Sequence, residues 1–308
     1  VTRAQWLEAR RRGLGGSDVA AVLGLSPFRT AWDVWVEKRG LDLEAEDSAD
    51  KRRGRRLERA VLEWAAEDAG LELYVPPPYT LEQGPEPWAL ATADALLIDR
   101  PAPRGLEAKT ARTTDGFGEH GSDVVPLHYA LQCHWYMHCY DVPRWDLAAF
   151  FTLTDDWRRF ELHRDATIEK NLVRRLGHWW QHHVVEAHPP PIDGSPGVDV
   201  WLRARFPFEL DDARAATPDE ELLVRMLHSS RSIKRAYDDG IATLTQQIEA
   251  AIGDHSGIHF AGGRATWRNE VRRRIDVEAL AAAHPEIAER FRVATPHRVL
   301  RTSVQPPA

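Results

Sequence analysis

The sequence predicts a mixed α/β domain, followed by a smaller α+β module built around one long helix. Three observations carry that prediction. Apolar periodicity alternates between helical and strand spacing over roughly the first 186 residues. Pairs of strand-like runs are joined by turn-rich connections. A break at Ala187–Gly197, with the consecutive prolines Pro189, Pro190 and Pro191, then interrupts both patterns.

The elements run in order. Thr2–Arg12, Ser17–Leu23, Thr30–Arg39 and Asp50–Ala69 read as helices, the last with Leu57, Val61, Trp64 and Ala65 on one apolar stripe. Trp88–Asp99 and Gly105–Ala111 read as strands of a hairpin joined through Arg100-Pro-Ala-Pro-Arg104. Pro126–Tyr140 reads as a buried helix, Asp146–Leu153 and Trp157–His163 as a second strand pair, and Ala166–Glu186 as a helix. These assign residues 1–190 to one domain, 191–216 to a linker and 217–308 to the C-terminal module. That module opens on Thr217-Pro-Asp-Glu220, a capping box with proline at the first helical position. Its helix is predicted to reach about Ile252, with Met226, Ile233, Tyr237, Ile241, Leu244 and Ile248 near one stripe. A hairpin around Gly262-Gly263, between IHFA and RATWRNEVRRRI, comes next. A short helix from Asp276 and a last strand near Arg298–Ser303 complete the module.

Composition excludes several classes of function. Of 308 residues, 43% are apolar and 28% charged, which rules out wholesale disorder. No apolar run approaches the roughly 20 residues of a membrane span, and VTRAQWLEARRRG has no signal-peptide core, so a cytoplasmic protein is expected. Two cysteines, Cys133 and Cys139, cannot form a disulfide framework or hold an iron–sulfur cluster alone. Forty basic against forty-seven acidic residues give a net charge of −7, which excludes a generally cationic DNA coat but leaves room for a local basic groove. Lys51–Arg59, with six basic residues and one acid, is such a stretch, readable equally as a DNA-backbone contact or as a solvated helix face.

Chemistry concentrates at Leu106-Glu-Ala-Lys109. On a strand, Glu107 and Lys109 point to one face while Leu106 and Ala108 face the other. Asp94 lies on the preceding arm of the hairpin. Two carboxylates across a hairpin make an oxygen-ligand site suited to Mg²⁺ or Mn²⁺. A lysine beside them can orient or deprotonate a water, or neutralise a transferring phosphate. A Glu107–Lys109 ion pair on a surface strand would satisfy the same short pattern. Glu58 falls beside the apolar stripe of its helix, where an unpaired carboxylate is costly, and Gln132 sits within an aromatic-rich helix. Arg10 and Ser17 supply a cation and a helix-start hydroxyl for an anion. His134 and His138, at i, i+4, have zinc-ligand spacing without a surrounding HExxH, and read as a satisfied, partly buried pair.

Gly15-Gly-Ser-Asp-Val-Ala-Ala-Val-Leu-Gly-Leu-Ser-Pro27, Gly54-x-x-x-Glu58, Ala91-Thr-Ala-Asp94, Leu106-Glu-Ala-Lys109 and Tyr129-x-x-Gln132 occur in that order. Over about residues 5–185 the chain thereby resembles YqaJ-type viral recombinase nucleases of the PD-(D/E)XK superfamily, similar to phage lambda exonuclease and RecE. The resemblance implies a restriction-endonuclease-like core, a central mixed sheet flanked by helices. It makes Asp94, Glu107 and Glu58 the metal ligands, Lys109 the catalytic lysine, and Gln132 a residue at the edge of the site. Trp6, Arg10 and Ser17 keep the spacing of a related tryptophan, arginine and serine, of which the last two contact the 5′-phosphate; Thr92 stands where a phosphate-contacting serine is found. Ala93-Asp94-Ala95 departs from the usual Pro-Asp-Gly, which alters turn preference without altering ligand chemistry.

The same resemblance implies a Mg²⁺-dependent 5′→3′ exonuclease on double-stranded DNA ends, with Mn²⁺ as substitute and no iron–sulfur cluster. It would make 3′ overhangs for a single-strand annealing protein, as a trimeric or tetrameric ring of phage or prophage origin. A structure-specific endonuclease or nickase on the same core is the alternative. A DNA-end-binding module with a lapsed site is a reading of another class, against which the retention of all five motif residues argues.

Overall fold

A computed structural model describes residues 1–41, 48–209, 213–271, 273–292 and 299–304. Two compact units divide the chain, Val1–Arg205 and Phe206–Ala308.

The first unit is organised on a five-stranded sheet. Its strands are β1 (Glu72–Tyr74), β4 (Ala95–Ile98), β5 (Arg104–Ala111), β6 (Arg144–Phe151) and β7 (Asp156–His163), in the spatial order β1-β4-β5-β6-β7. A two-stranded pair, β2 (Glu82–Gln83) and β3 (Leu90–Ala91), stands apart. Only the β5–β6 pairing of the main sheet is parallel. A parallel pair requires a crossover, and helix α5 (Leu127–Tyr140) lies in that connection.

Strand parity sorts the two faces. Leu147, Ala149 and Phe151 of β6 join Trp135, Trp145 and Phe160 in the larger core cluster. Ala148, with Leu106 of β5 and Leu97 of β4, packs on Val61, Leu62 and Ala65 of helix α4 (Ala49–Ala69). Gly105 lets β5 approach β6, since a Cβ there would lie 2.1 Å from the Trp145 ring. Three helices precede α4: α1 (Arg3–Arg10), α2 (Gly16–Val22) and α3 (Ala31–Lys38). Thr2 and Thr30 cap α1 and α3 through reciprocal capping boxes. Helix α6 (Ala166–Trp179) runs into a π-helical segment, Trp180–Val185.

Two sequence expectations need correction. The first concerns 191–216, expected as linker: within it, residues Pro196–Arg205 form helix α7. It packs on α3, with the Trp201 ring 5.2 Å from Trp32 and the Gly197 N–H on Asp33 Oδ1 at 3.0 Å. Those partners lie some 160 residues upstream, beyond the reach of local patterning.

In the second unit, Thr217 caps helix α8 (Pro218–Ile252), whose residues Met226, Ile233, Tyr237, Ile241, Leu244 and Ile248 are exposed. Strands β8 (Gly257–Phe260) and β9 (Gly263–Thr266) form the hairpin, and α9 (Val277–Ala283) starts from an Asp276 cap ahead of α10 (Pro285–Arg290). The strand-like run after Gly263 ends at Thr266. The second correction is the final strand near 298–303: it is absent over 299–303, where no regular structure forms, and Arg298 is outside the described residues. No helix among the described residues is long and apolar enough to cross a membrane.

Candidate active site

The β4–β5 hairpin register pairs Ala95 with Leu106. Asp94, just ahead of β4, is tied to β5 by the Ala108 N–H, which donates to Asp94 Oδ2 at 2.9 Å. Leu106 and Ala108 face the α4 cluster, so Glu107 and Lys109 point to the opposite face, as strand parity requires. There the Lys109 ammonium donates to Glu107 Oε1. Gln132, on α5, donates through Nε2 to the same Glu107 oxygen at 2.8 Å, and a second contact of 2.8 Å joins that nitrogen to the Tyr136 hydroxyl. Glu107 Oε2 is buried without a hydrogen-bond partner among the described residues.

Electrostatics at this point favour a cation. Burial, then repulsion from Glu107, pushes the Asp94 carboxyl well above the usual carboxylate range against the opposing pull of Lys109. Burial works against the Lys109 charge, but the Glu107 and Asp94 carboxylates outweigh it and hold the ammonium above the ordinary lysine value. Glu58, on α4, is raised by burial and by Glu107. It therefore faces the pair electrostatically, but the three acids do not form a closed set: among the described residues, the only three metal-ligating side chains with donor atoms all within 4.8 Å are His182, Glu186 and His188. Asp94, Glu107 and Glu58 thus act on one another electrostatically without all their donor atoms lying within that distance.

Asp94 also lines a pocket of about 200 Å³ with Arg10, Ser17, Thr92, Trp6 and Tyr136. All three residues expected at a 5′-phosphate thus share one cavity with an expected metal ligand. The Arg10 guanidinium lies 4.9 Å from the Trp6 ring centroid. Gly16 makes the pocket wall possible, because a Cβ there would come within 2.3 Å of the Tyr136 ring. The alanine that replaces the usual proline has a use: the Ala93 N–H donates to the Tyr140 hydroxyl at 3.1 Å, a bond proline cannot make.

The Lys109 ammonium is 5.1 Å from the ring centroid of Tyr129, which lines a groove of about 840 Å³ with His128, Phe28, Arg53 and Arg112. Burial and the Lys109 charge lower the His128 pKa. Within the basic run, Arg53 pairs with Asp50 at 3.0 Å and Arg59 with Glu63 at 2.6 Å.

His138 is held between Glu86 at 2.6 Å and Glu169 at 2.9 Å. His134 is buried on the same helix, and neither belongs to the His182 grouping. Cys133 and Cys139 are buried free thiols whose pKa values burial raises. Sequence reasoning missed Tyr136 and Lys38. Tyr136, four residues after Gln132, was available from helical spacing; Lys38, whose Nζ lies 2.8 Å from Asp18 Oδ2, was not, because Asp18 is on another helix.

Comparison with known proteins places the chain among relatives. Residues 5–143 match the YqaJ-like viral recombinase domain. The uncharacterized protein YqaJ of Bacillus subtilis strain 168 is 24% identical over 307 residues, covering 97% of this chain and 93% of that protein. Among solved structures, LHK-Exo, an alkaline exonuclease from Laribacter hongkongensis, in its complex with dAMP, has a TM-score of 0.50 at 16% identity, over 66% of this chain and 97% of its own. A phage related exonuclease from Haemophilus somnus 129PT has a TM-score of 0.40 at 12% identity, over 57% and 96% of the respective chains.

Proposed function

Since residues 5–143 match the YqaJ-like viral recombinase domain, we propose that this chain is a metal-dependent deoxyribonuclease that degrades duplex DNA from 5′ ends and leaves 3′ overhangs. One observation carries the reading: half-buried Asp94, paired with the buried Glu107 that shares its strand face with Lys109, lines the same cavity as Arg10, Ser17 and Thr92. The fold likeness to LHK-Exo, solved with dAMP, is consistent with it.

The residues fit a divalent cation. Glu107 Oε2 is a buried acceptor without a partner among the described residues, and Asp94 is held beside it by a backbone N–H. Hard carboxylate oxygens suit Mg²⁺, with Mn²⁺ as substitute. Asp94 and Glu107 would hold the ion, with Glu58 toward a second. Such an ion supplies polarisation of the phosphoryl group and compensation of the carboxylate charge. Gln132 fixes one oxygen of Glu107, and the other, unpartnered among the described residues, would be available to a cation. Lys109 orients the attacking water and neutralises negative charge developing on phosphate. Arg10 and Ser17 bind the terminal 5′-phosphate, with Thr92 beside them, and so set which end is degraded. The undigested 3′-ended strand would pass to a single-strand annealing protein, and a ring of several copies would keep the duplex threaded.

The test is digestion of a linear duplex carrying a labelled 5′-phosphate, beside a 5′-hydroxyl duplex and a covalently closed circle, with Mg²⁺ and with EDTA. Mg²⁺-dependent mononucleotide release from the phosphorylated end, sparing the circle, is expected. A nicked circle would instead establish an endonuclease. Bound but uncut ends would make the site a relic.

A further inference from the structure

The π-helical segment Trp180–Val185 ends at Glu186, and Ala187 comes next at φ +63°, reversing the chain. The reversal brings His188 back over the helix. Its N–H donates to the His182 carbonyl at 3.3 Å, and its ring stacks on the His182 ring with centroids 4.5 Å apart and planes at 18°. Glu186 Oε2 sits between them, 3.2 Å from His182 Nδ1 and 3.6 Å from His188 Nδ1. The three side chains are 44–58% exposed. Their donor atoms all lie within 4.8 Å of one another, the only such triad among the described residues.

We propose that His182, Glu186 and His188 form a transition-metal site, with Zn²⁺ the best-suited ion and solvent in the open position. Two imidazoles and one carboxylate are a Zn²⁺ donor set rather than a Mg²⁺ one. This separates the site from the all-oxygen Asp94–Glu107 pair, and the proposal does not depend on the nuclease reading. Its role is structural: an ion bridging Glu186 and His188 to His182 pins the proline-rich segment to the helix. Around it, His183 Nδ1 is 2.8 Å from the His188 carbonyl, and the Trp35 indole N–H donates to the His183 carbonyl at 2.7 Å. The Trp32 indole N–H reaches the Pro191 carbonyl at 2.5 Å. The metal would therefore tighten the join between α6 and α7.

The full chain, free of any polyhistidine tag and stripped of metal, is titrated with ZnCl₂ by calorimetry in excess Mg²⁺, and its melting temperature is read with and without Zn²⁺. One saturable equivalent and a raised melting temperature are expected. Both should be lost in His188→Ala and in Glu186→Gln, an exposed change that leaves the fold intact, and kept in Asp94→Asn. Absence of saturable binding to the unaltered chain overturns the proposal. So does binding that Glu186→Gln and His188→Ala leave unchanged, or that Asp94→Asn abolishes.

Discussion

Lys38 Nζ lies 2.8 Å from Asp18 Oδ2, with both side chains shut off from solvent. The same ammonium donates to the Arg10 carbonyl at 3.1 Å, and Asp18 accepts the Gly15 N–H at 3.0 Å. One buried ion pair thereby fixes the end of α1, which bears Arg10, against the start of α2, which bears Ser17. Burial would raise the Asp18 carboxyl, but Lys38, then Arg29 and Arg10, hold it well below the usual carboxylate range. Without that compensation, a buried carboxylate beside a phosphate pocket would repel the ligand.

Replacing Lys38 by Met leaves Asp18 charged and buried, with the Gly15 N–H at 3.0 Å and the Arg29 guanidinium at 3.2 Å as partners. Removing one member of a buried pair costs about 3–5 kcal/mol; the Arg29 contact places this variant at the low end. Urea denaturation is expected to show that loss, and the 5′-phosphate over 5′-hydroxyl preference is expected to fall with it.

Gly16→Ala forces a Cβ to within 2.3 Å of the Tyr136 ring. Overpacking of this kind costs about 1–3 kcal/mol. Because Tyr136 is hydrogen-bonded to Gln132, the displacement reaches Glu107. Nuclease activity is therefore expected to drop more than stability alone explains, measured at a temperature where both proteins remain folded.

Gln132→Leu removes the donor that orients Glu107 while retaining a helix-compatible apolar side chain. Loss of a partner that orients a metal ligand costs about 10–100-fold in metal affinity or activity. The expected signature is a raised Mg²⁺ requirement, read from rate against Mg²⁺ concentration, with DNA-end binding unchanged.

Glu169 gives a pH dependence. Hydrogen bonds from Arg164, then from His138, hold its carboxyl down at about 2 against an ordinary 4.5. A depressed folded-state value means the stabilisation is fully present above the ordinary value and is lost as pH falls toward the folded one. Melting temperature should decline between those limits, and Glu169→Gln should show a shallower decline over the same range.

Much of the site was legible because it is written in short-range rules. Strand parity placed Glu107 and Lys109 together, and the hairpin brought Asp94 across to Ala108. The capping box at Thr217 started α8 where its sequence indicated. The illegible features depend on long-range partners: Asp18 with Lys38 between two helices, or Trp32 and Trp35 against Trp201 of α7. The strand expected near 298–303 does not form over 299–303, because a local β pattern is context-dependent and becomes a strand only with cross-strand partners.

That the Asp94–Glu107 pair holds a catalytic cation is tested most directly by hydrolysis of 5′-phosphorylated linear duplex. The unaltered chain and Asp94→Asn are each titrated with Mg²⁺ and matched for end binding. Mg²⁺-dependent release is expected from the former. The variant is expected to keep end binding, with hydrolysis reduced by at least about 10²-fold, within the range that electrostatic catalytic groups contribute. Equal hydrolysis by both proteins, or hydrolysis undiminished in EDTA, would contradict a catalytic cation at this pair.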